Sequence, residues 1–191
     1  MVRAKSEDKR HAILEAALEL FVERHFHGTA IPMIAEKAGV ADGTIYRYFK
    51  SKDELVNTLF IEKKREMTAY VTQPFAAGLG IKEKLVAIGV RFLEYAEKHP
   101  KTTQFLERNH HESYLGPEAQ AAELPIIHFV MGLLEEGRAQ GLIKKVNDAV
   151  LVFLLYGALN GMVEAQRRGV IPSLRAVQGD VEECLWHAIR A

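Results

Sequence analysis

Between Asp42 and Asp53 the chain reads GTIYRYFKSK, with Arg47, Lys50 and Lys52 as cations and no acid. A guanidinium at Arg47 can bridge O6 and N7 of guanine in the major groove of B-DNA. Hydroxyls on Thr44, Tyr46 and Tyr48 can donate to phosphate oxygens, and the tyrosine rings can touch a thymine methyl. Lys52, beside the start of the next helix, would add an ammonium to backbone N–H donors, an arrangement suited to phosphate. Asp42 and Gly43 open the same row, and Thr29 stands at an earlier turn where it can cap a helix or meet the backbone of a duplex. These residue types in this order suit sequence-selective contact with double-stranded DNA.

Such a row works only if it is held outward, so the flanking elements matter. Gly28 closes a first helix that Ser6 can cap and whose apolar residues Ile13, Ala17, Leu20 and Phe21 recur at helical spacing to about Arg24. Pro32 suits the first turn of a short second helix to about Ala38, and Gly39 suits the break after it. Asp42 can cap a third short helix, from Gly43 or Thr44 to about Phe49. The tight turn at Ala38-Gly39-Val40 makes helices two and three a helix-turn-helix candidate. Ile34, Ala35 and Val40 would pack the pair, with Ile45 and Phe49 on the inner face of the third helix. The competing account is a surface helix whose aromatics cover a core edge. Agreement of turn, caps, packing residues and polar row favours DNA.

Composition bounds the rest. The 191 residues carry 25 Lys plus Arg against 25 Asp plus Glu, so the formal net charge is zero and the cationic row is local. A neutral chain with 48% apolar residues does not suit general DNA coating or acidic disorder. One cysteine, Cys184, excludes an internal disulfide framework and Cys-rich zinc modules. The histidines lack metal-ligand spacing, Gly78-x-Gly80 lacks a preceding strand, and no nucleophile stands in a recognisable signature. No cofactor, metal or enzymatic activity is expected. No secretory h-region is visible, and the longest apolar run, Ala149–Leu159, is shorter than a membrane span, so a cytoplasmic location is expected.

From Ile13 to Leu59 the sequence resembles the TetR family of bacterial transcriptional regulators. The likeness is carried by Ile13-Leu14-Glu15-Ala16-Ala17, Phe21, Thr29, Ile34-Ala35, Ala38-Gly39-Val40 and the run Gly43 to Leu55. It implies an all-α protein of about nine helices, acting as a homodimer on an operator. By position it implies phosphate contacts at Thr44, Tyr48 and Lys52, and groove-facing residues at Asp42, Gly43, Tyr46 and Arg47. Three positions depart from the family pattern. Ala30 stands where a Ser or Thr cap is common, Pro32 where a polar groove-facing residue can occur, and His25 where glycine is usual.

On this reading residues 1–52 form the DNA-binding domain and 53–191 a ligand-binding and dimerisation bundle. The fourth helix begins near Asp53, and Pro74, Gly78 and Gly80 interrupt or end it. Further helices are expected over Lys82–Lys98, from Pro100, from Pro117 to about Gln140 with a kink or restart at Pro125, over Asp148–Arg168 and over Ser173–Ile189. The helix from Asp148 is apolar nearly all round, so it must be covered on two sides. Leu151, Leu155, Leu159 and Val163, with Val181 and Leu185 of the last helix, are the expected dimer contacts. Phe92, Tyr95, Phe105, Tyr114, Phe129, Leu133 and Tyr156 are expected to line an apolar cavity for an apolar or aromatic effector. Arg91, Glu107, Arg108, Asn109 and His110 are candidate polar anchors. The function expected is a ligand-responsive regulator, read as a repressor. The competing class is a helical small-molecule-binding or enzymatic protein that no longer uses its helix-turn-helix.

Overall fold

A computed structural model describes the backbone of residues 2–109 and 112–191, and side chains from residue 7 onward. Among the described residues ten α-helices follow one another: α1 Val2–Arg24, α2 Ile31–Lys37, α3 Asp42–Ile45, α4 Lys52–Val71, α5 Ile81–Lys98, α6 Pro100–Asn109, α7 Pro117–Ala121, α8 Leu124–Ala139, α9 Asp148–Arg167 and α10 Gln178–Ile189. There is no β-strand among the described residues; one isolated antiparallel bridge joins Ile143 to Arg190. The all-α expectation holds. The restart at Pro125 is real, because α7 ends before it and α8 begins beside it. The side chains of Ser6 and His110 lie outside the described residues; the backbone of Ser6 is within α1.

The chain divides into two compact units. The first comprises residues 1–65 and 100–122, the second 66–99 and 123–191. Chain order suggested a division after Lys52, whereas packing places most of α4, all of α6 and α7, and the helix-turn-helix together. In the first unit α1 packs on α2 and α6, and α2 packs on α3. Its centre is aromatic: the Phe105 ring lies 6.2 Å from Phe21 and 6.3 Å from Phe60, and all three are buried. Burying such rings contributes about 1.5–3 kcal/mol each by apolar area. Glu19 of α1 adds an electrostatic tie, accepting from Lys37 of α2 at 2.8 Å and Lys101 of α6 at 2.6 Å.

In the second unit α5 is the central helix, contacting α8, α9 and α10. Its buried stripe, Leu85, Ile88, Phe92 and Tyr95, is the one expected from periodicity. Leu159 and Leu185 pack beside Gly89, each 3.7 Å from where a Cβ would stand, an ordinary packing distance. Asn147 caps α9 by accepting from the Ala149 amide at 2.9 Å. Arg138 of α8 pairs with Asp148 in the first turn of α9.

Candidate nucleic-acid interface

The helix-turn-helix is set by packing beneath and polar residues above. Ile34, Ala35, Ile45 and Phe49 are buried, which fixes the inner faces of α2 and α3. Gly39 has φ +66, a left-handed conformation that glycine adopts without a Cβ penalty. The Val40 amide then closes back on the Ala35 carbonyl at 3.0 Å. α3 is shorter than expected: it ends at Ile45, and 46–48 continue as turns held by Arg47 N–H to Thr44 O and Tyr48 N–H to Ile45 O. Its N-cap position is Ala41, so Asp42 lies in the first turn instead of capping it. An acid there still faces the positive end of the helix dipole.

The expected row is outward. Asp42, Gly43, Tyr46, Arg47 and Lys50 are exposed, and Thr44 and Tyr48 are half-buried. Tyr46 has 56% of its surface free, a large value for an aromatic ring on a compact unit. Nothing in packing requires that exposure, so a binding surface is the natural account.

Two expected contacts lie elsewhere. Thr29 is 1% exposed, and its hydroxyl donates to the carbonyls of His25 at 2.8 Å and Leu20 at 3.2 Å. It closes the end of α1 and does not reach out to a duplex. Lys52 directs its ammonium to the carbonyls of Phe26 at 2.8 Å and Thr29 at 2.9 Å, with the Phe26 ring 4.2 Å away. It therefore fastens the turn between α1 and α2. The start of α4 is capped by Ser51 Oγ, which accepts from the Glu54 amide at 3.0 Å, while Glu54 accepts from the Lys50 amide at 2.6 Å.

That turn carries two departures from free choice of residue. His25 has φ +59, and its amide donates to Phe21 O at 3.0 Å in an αL helix stop. At Gly28 a Cβ would stand 2.3 Å from the Arg24 carbonyl oxygen, so no side chain fits.

The seven residues expected to line an effector cavity do not form one cluster. Phe105 and Tyr114 belong to the first unit, where Phe105 fills the core and Tyr114 stacks on Phe26 at 4.0 Å. Phe92, Tyr95, Phe129, Leu133 and Tyr156 belong to the second unit. There Phe92 meets Tyr156 edge-on at 6.3 Å, and Phe129 stacks on Phe75 at 6.0 Å. Phe75, in the α4–α5 connection, was not singled out by helical periodicity because it lies in a loop. Burial pushes the Tyr95 hydroxyl well above the usual phenol range, with the nearby Glu66 adding to it. Of the polar anchors, Arg91 binds the carbonyls of Val71, Gln73 and Pro74, Arg108 binds that of Val22, and Asn109 is buried. Glu107 is half-buried. A surface pocket of about 390 Å³ between α5 and α10 is lined by Lys82, Glu182, Trp186 and His187, none of which belongs to the expected set.

The expected dimer residues divide by face. Leu151, Leu159 and Val181 are buried within their own unit, and Leu155, Val163 and Leu185 are half-buried. The uncovered face of α9 is the adjacent stripe: Val150 at 58% exposure, Phe153 at 59%, Leu154, Gly157, Ala158 and Gly161. That spacing is one continuous helical stripe. By length and mean hydropathy α9 could cross a membrane, and only 17% of its apolar window is buried. Its polar Asn160, Glu164, Gln166 and Arg167 and its single exposed apolar stripe fit a protein partner better.

Comparisons with known proteins agree with this architecture. The profile of bacterial regulatory proteins of the tetR family matches residues 13–59, and that of the tetracyclin repressor-like C-terminal domain matches residues 60–191. The fatty acid metabolism regulator protein of Bacillus subtilis is 32% identical over 155 residues, covering 79% of each chain. A TetR family transcription regulator from Marinobacter aquaeolei superposes with TM-score 0.88 at 22% identity, over 98% of each chain. The Bacillus subtilis regulator FadR, solved in complex with stearoyl-CoA, superposes with TM-score 0.77 at 24% identity, over 92% of this chain and 96% of its own. At those identities the two structures establish a shared fold.

Proposed function

Because the chain belongs to the TetR family and is a ligand-responsive DNA-binding transcriptional regulator, we propose that it is a cytoplasmic homodimeric repressor released from its operator by a long-chain acyl thioester. The observation that carries the DNA reading is the exposed row Asp42, Gly43, Tyr46, Arg47 and Lys50 above the buried Ile45 and Phe49. Operator contact belongs to residues 1–52, with Thr44 and Tyr48 on phosphates and Tyr46 and Arg47 at base edges. Thr29 and Lys52 support that surface from behind.

Residues 53–191 supply effector binding and dimerisation. Two copies joined through the open stripe of α9 and the neighbouring face of α10 would cover Val150, Phe153 and Leu154. Gly157, Ala158 and Gly161 would let the two α9 helices approach closely. A palindromic operator then needs the two recognition segments about 34–36 Å apart, one turn of B-DNA. The effector acts by preferring a dimer with another spacing; without such a preference it could shift nothing.

The acyl reading is supported by the 32% identical Bacillus subtilis fatty acid metabolism regulator and by the apolar side chains Phe92, Leu133, Phe129 and Tyr156 of the second unit. A titration of the DNA upstream of its own gene, with and without stearoyl-CoA, tests it. Binding that weakens with added salt and is reversed by stearoyl-CoA is expected. Salt-independent binding would reject operator contact, and operator binding indifferent to stearoyl-CoA would reject the acyl effector alone.

A further inference from the structure

We infer that Tyr114 is a positioning residue through which the effector region and the helix-turn-helix sense each other. Segment 100–122 is an excursion into the first unit: it enters after His99 and leaves before Glu123, both of the second unit. The chain joins this segment to the second unit at both ends, and its contacts within the first unit show what a displacement of it would move.

The Tyr114 ring stacks on Phe26 with centroids 4.0 Å apart and planes at 20°. Phe26 sits in the turn between α1 and α2, the same turn that Lys52 grips through the Phe26 and Thr29 carbonyls. The stack thus lies one residue from strained His25 and three from Thr29, which immediately precedes the N-cap of α2. His27 meets both rings edge-on. A shift of Tyr114 moves the support on which α2, and with it the exposed row, is oriented.

The segment is gripped rather than merely touching. Asn57 of α4 donates to the Tyr114 carbonyl at 2.8 Å and accepts from the Gly116 amide at 2.7 Å. The Tyr114 hydroxyl donates to Asn109 Oδ1, and Asn109 donates to the Phe105 carbonyl at 2.6 Å. Burial, with Glu112 nearby, pushes the Tyr114 phenol up to about 12, so it remains a donor at neutral pH. The aromatic contact and the engaged amide thus fasten the segment to the turn before α2 and to α4, the contiguous packing through which coupling can run. This route runs beside α4 and reaches the turn before α2 directly.

The inference rests on DNA binding by the first unit and is independent of the effector's identity. Coupling is reciprocal, so operator binding must steady the Tyr114 segment. The test is amide hydrogen exchange of the full-length protein, free and saturated with a duplex selected by the protein from a random-sequence pool. Exchange at Leu115 and Gly116 should slow about tenfold on DNA binding in the wild type. The effect should persist in Tyr114→Phe, which keeps the stack, and shrink to less than about twofold in Tyr114→Leu and Phe26→Leu. Protection of the Ala38–Val40 amides by the duplex should survive in all four proteins and shows that each still folds and binds. Unchanged exchange at Leu115 and Gly116 in the wild type, beside protected Ala38–Val40, would overturn the inference. So would a Tyr114→Leu protein that melts lower yet keeps the wild-type protection pattern, since that marks a purely structural role.

Discussion

The two units carry their functions in different ways. In the first, the exposed row proposed for operator contact lies within nine residues, and its outward direction follows from local spacing: Ile45 and Phe49 are buried, so Tyr46, Arg47 and Lys50 face away from them. In the second, the surface offered to a partner depends on which side of an all-apolar helix its neighbours leave open. α5, α8 and α10 cover Leu151 and Leu159, and the adjacent stripe from Val150 to Gly161 stays bare. A binding row written in sequence is tolerant of distant packing, whereas a binding face made by omission moves if one neighbouring helix rotates.

That contrast can be broken most strongly at α9. Replacing Phe153 and Leu154 together by Glu places two charges on the bare stripe. Light scattering at micromolar concentration should then give a monomer, and operator affinity should fall by about 100-fold or more, because half-sites are no longer joined. A dimer that survives would put the interface elsewhere. Leu151→Ala, two positions before Phe153 on the covered side, should instead leave the dimer mass unchanged while lowering unfolding free energy by about 2–5 kcal/mol in urea titrations. Equal behaviour of the two variants would erase the distinction between the faces.

Smaller changes sharpen the first unit. His25 occupies φ +59 without glycine's freedom. His25→Gly should raise stability by about 1 kcal/mol in urea unfolding, with operator affinity unchanged. A loss of stability would mean that the imidazole contributes more than its backbone strain.

The last change concerns charge. Hydrogen bonds from Lys101 and Lys37 lower the Glu19 pKa from 4.5 to about 2. A lowered folded-state pKa adds stability that is complete above about pH 4.5 and is lost as pH falls towards 2. Glu19→Gln should therefore be less stable than wild type at neutral pH, with the gap closing on acidification through that window. A gap that widens below pH 4 would contradict the assignment. The pair is solvent-exposed, so this effect is the smallest of the four.

The same contrast explains what could be read before folding. The helix order, the glycine stop at Gly39 and the exposed row were legible because capping, periodicity and turn chemistry act over a few residues. Thr29 and Lys52 look like phosphate ligands by type and position, yet both turn inward. Their hydrogen-bond partners, the carbonyls of Leu20, His25 and Phe26, become available only when α1 ends in its αL stop. Phe105 and Tyr114 follow the α5 region in sequence but fold with the helix-turn-helix, since α6 returns to pack on α1. Long-range returns of that kind leave no periodic trace. The exposed stripe of α9 lies beside the residues expected to join two copies, because an all-round apolar helix has no polar face to fix its register.

The account centres on base reading by the row after Asp42. The most direct test is an anisotropy titration comparing wild type with the Tyr46→Ala, Arg47→Ala double variant on a selected operator duplex and on a scrambled duplex of equal length. Dimer mass and helical circular dichroism should be unchanged in the variant. The account predicts that the wild type prefers its operator and that the variant binds both duplexes equally, losing about 100-fold or more on the operator. Retained operator preference in a folded, dimeric variant would contradict it.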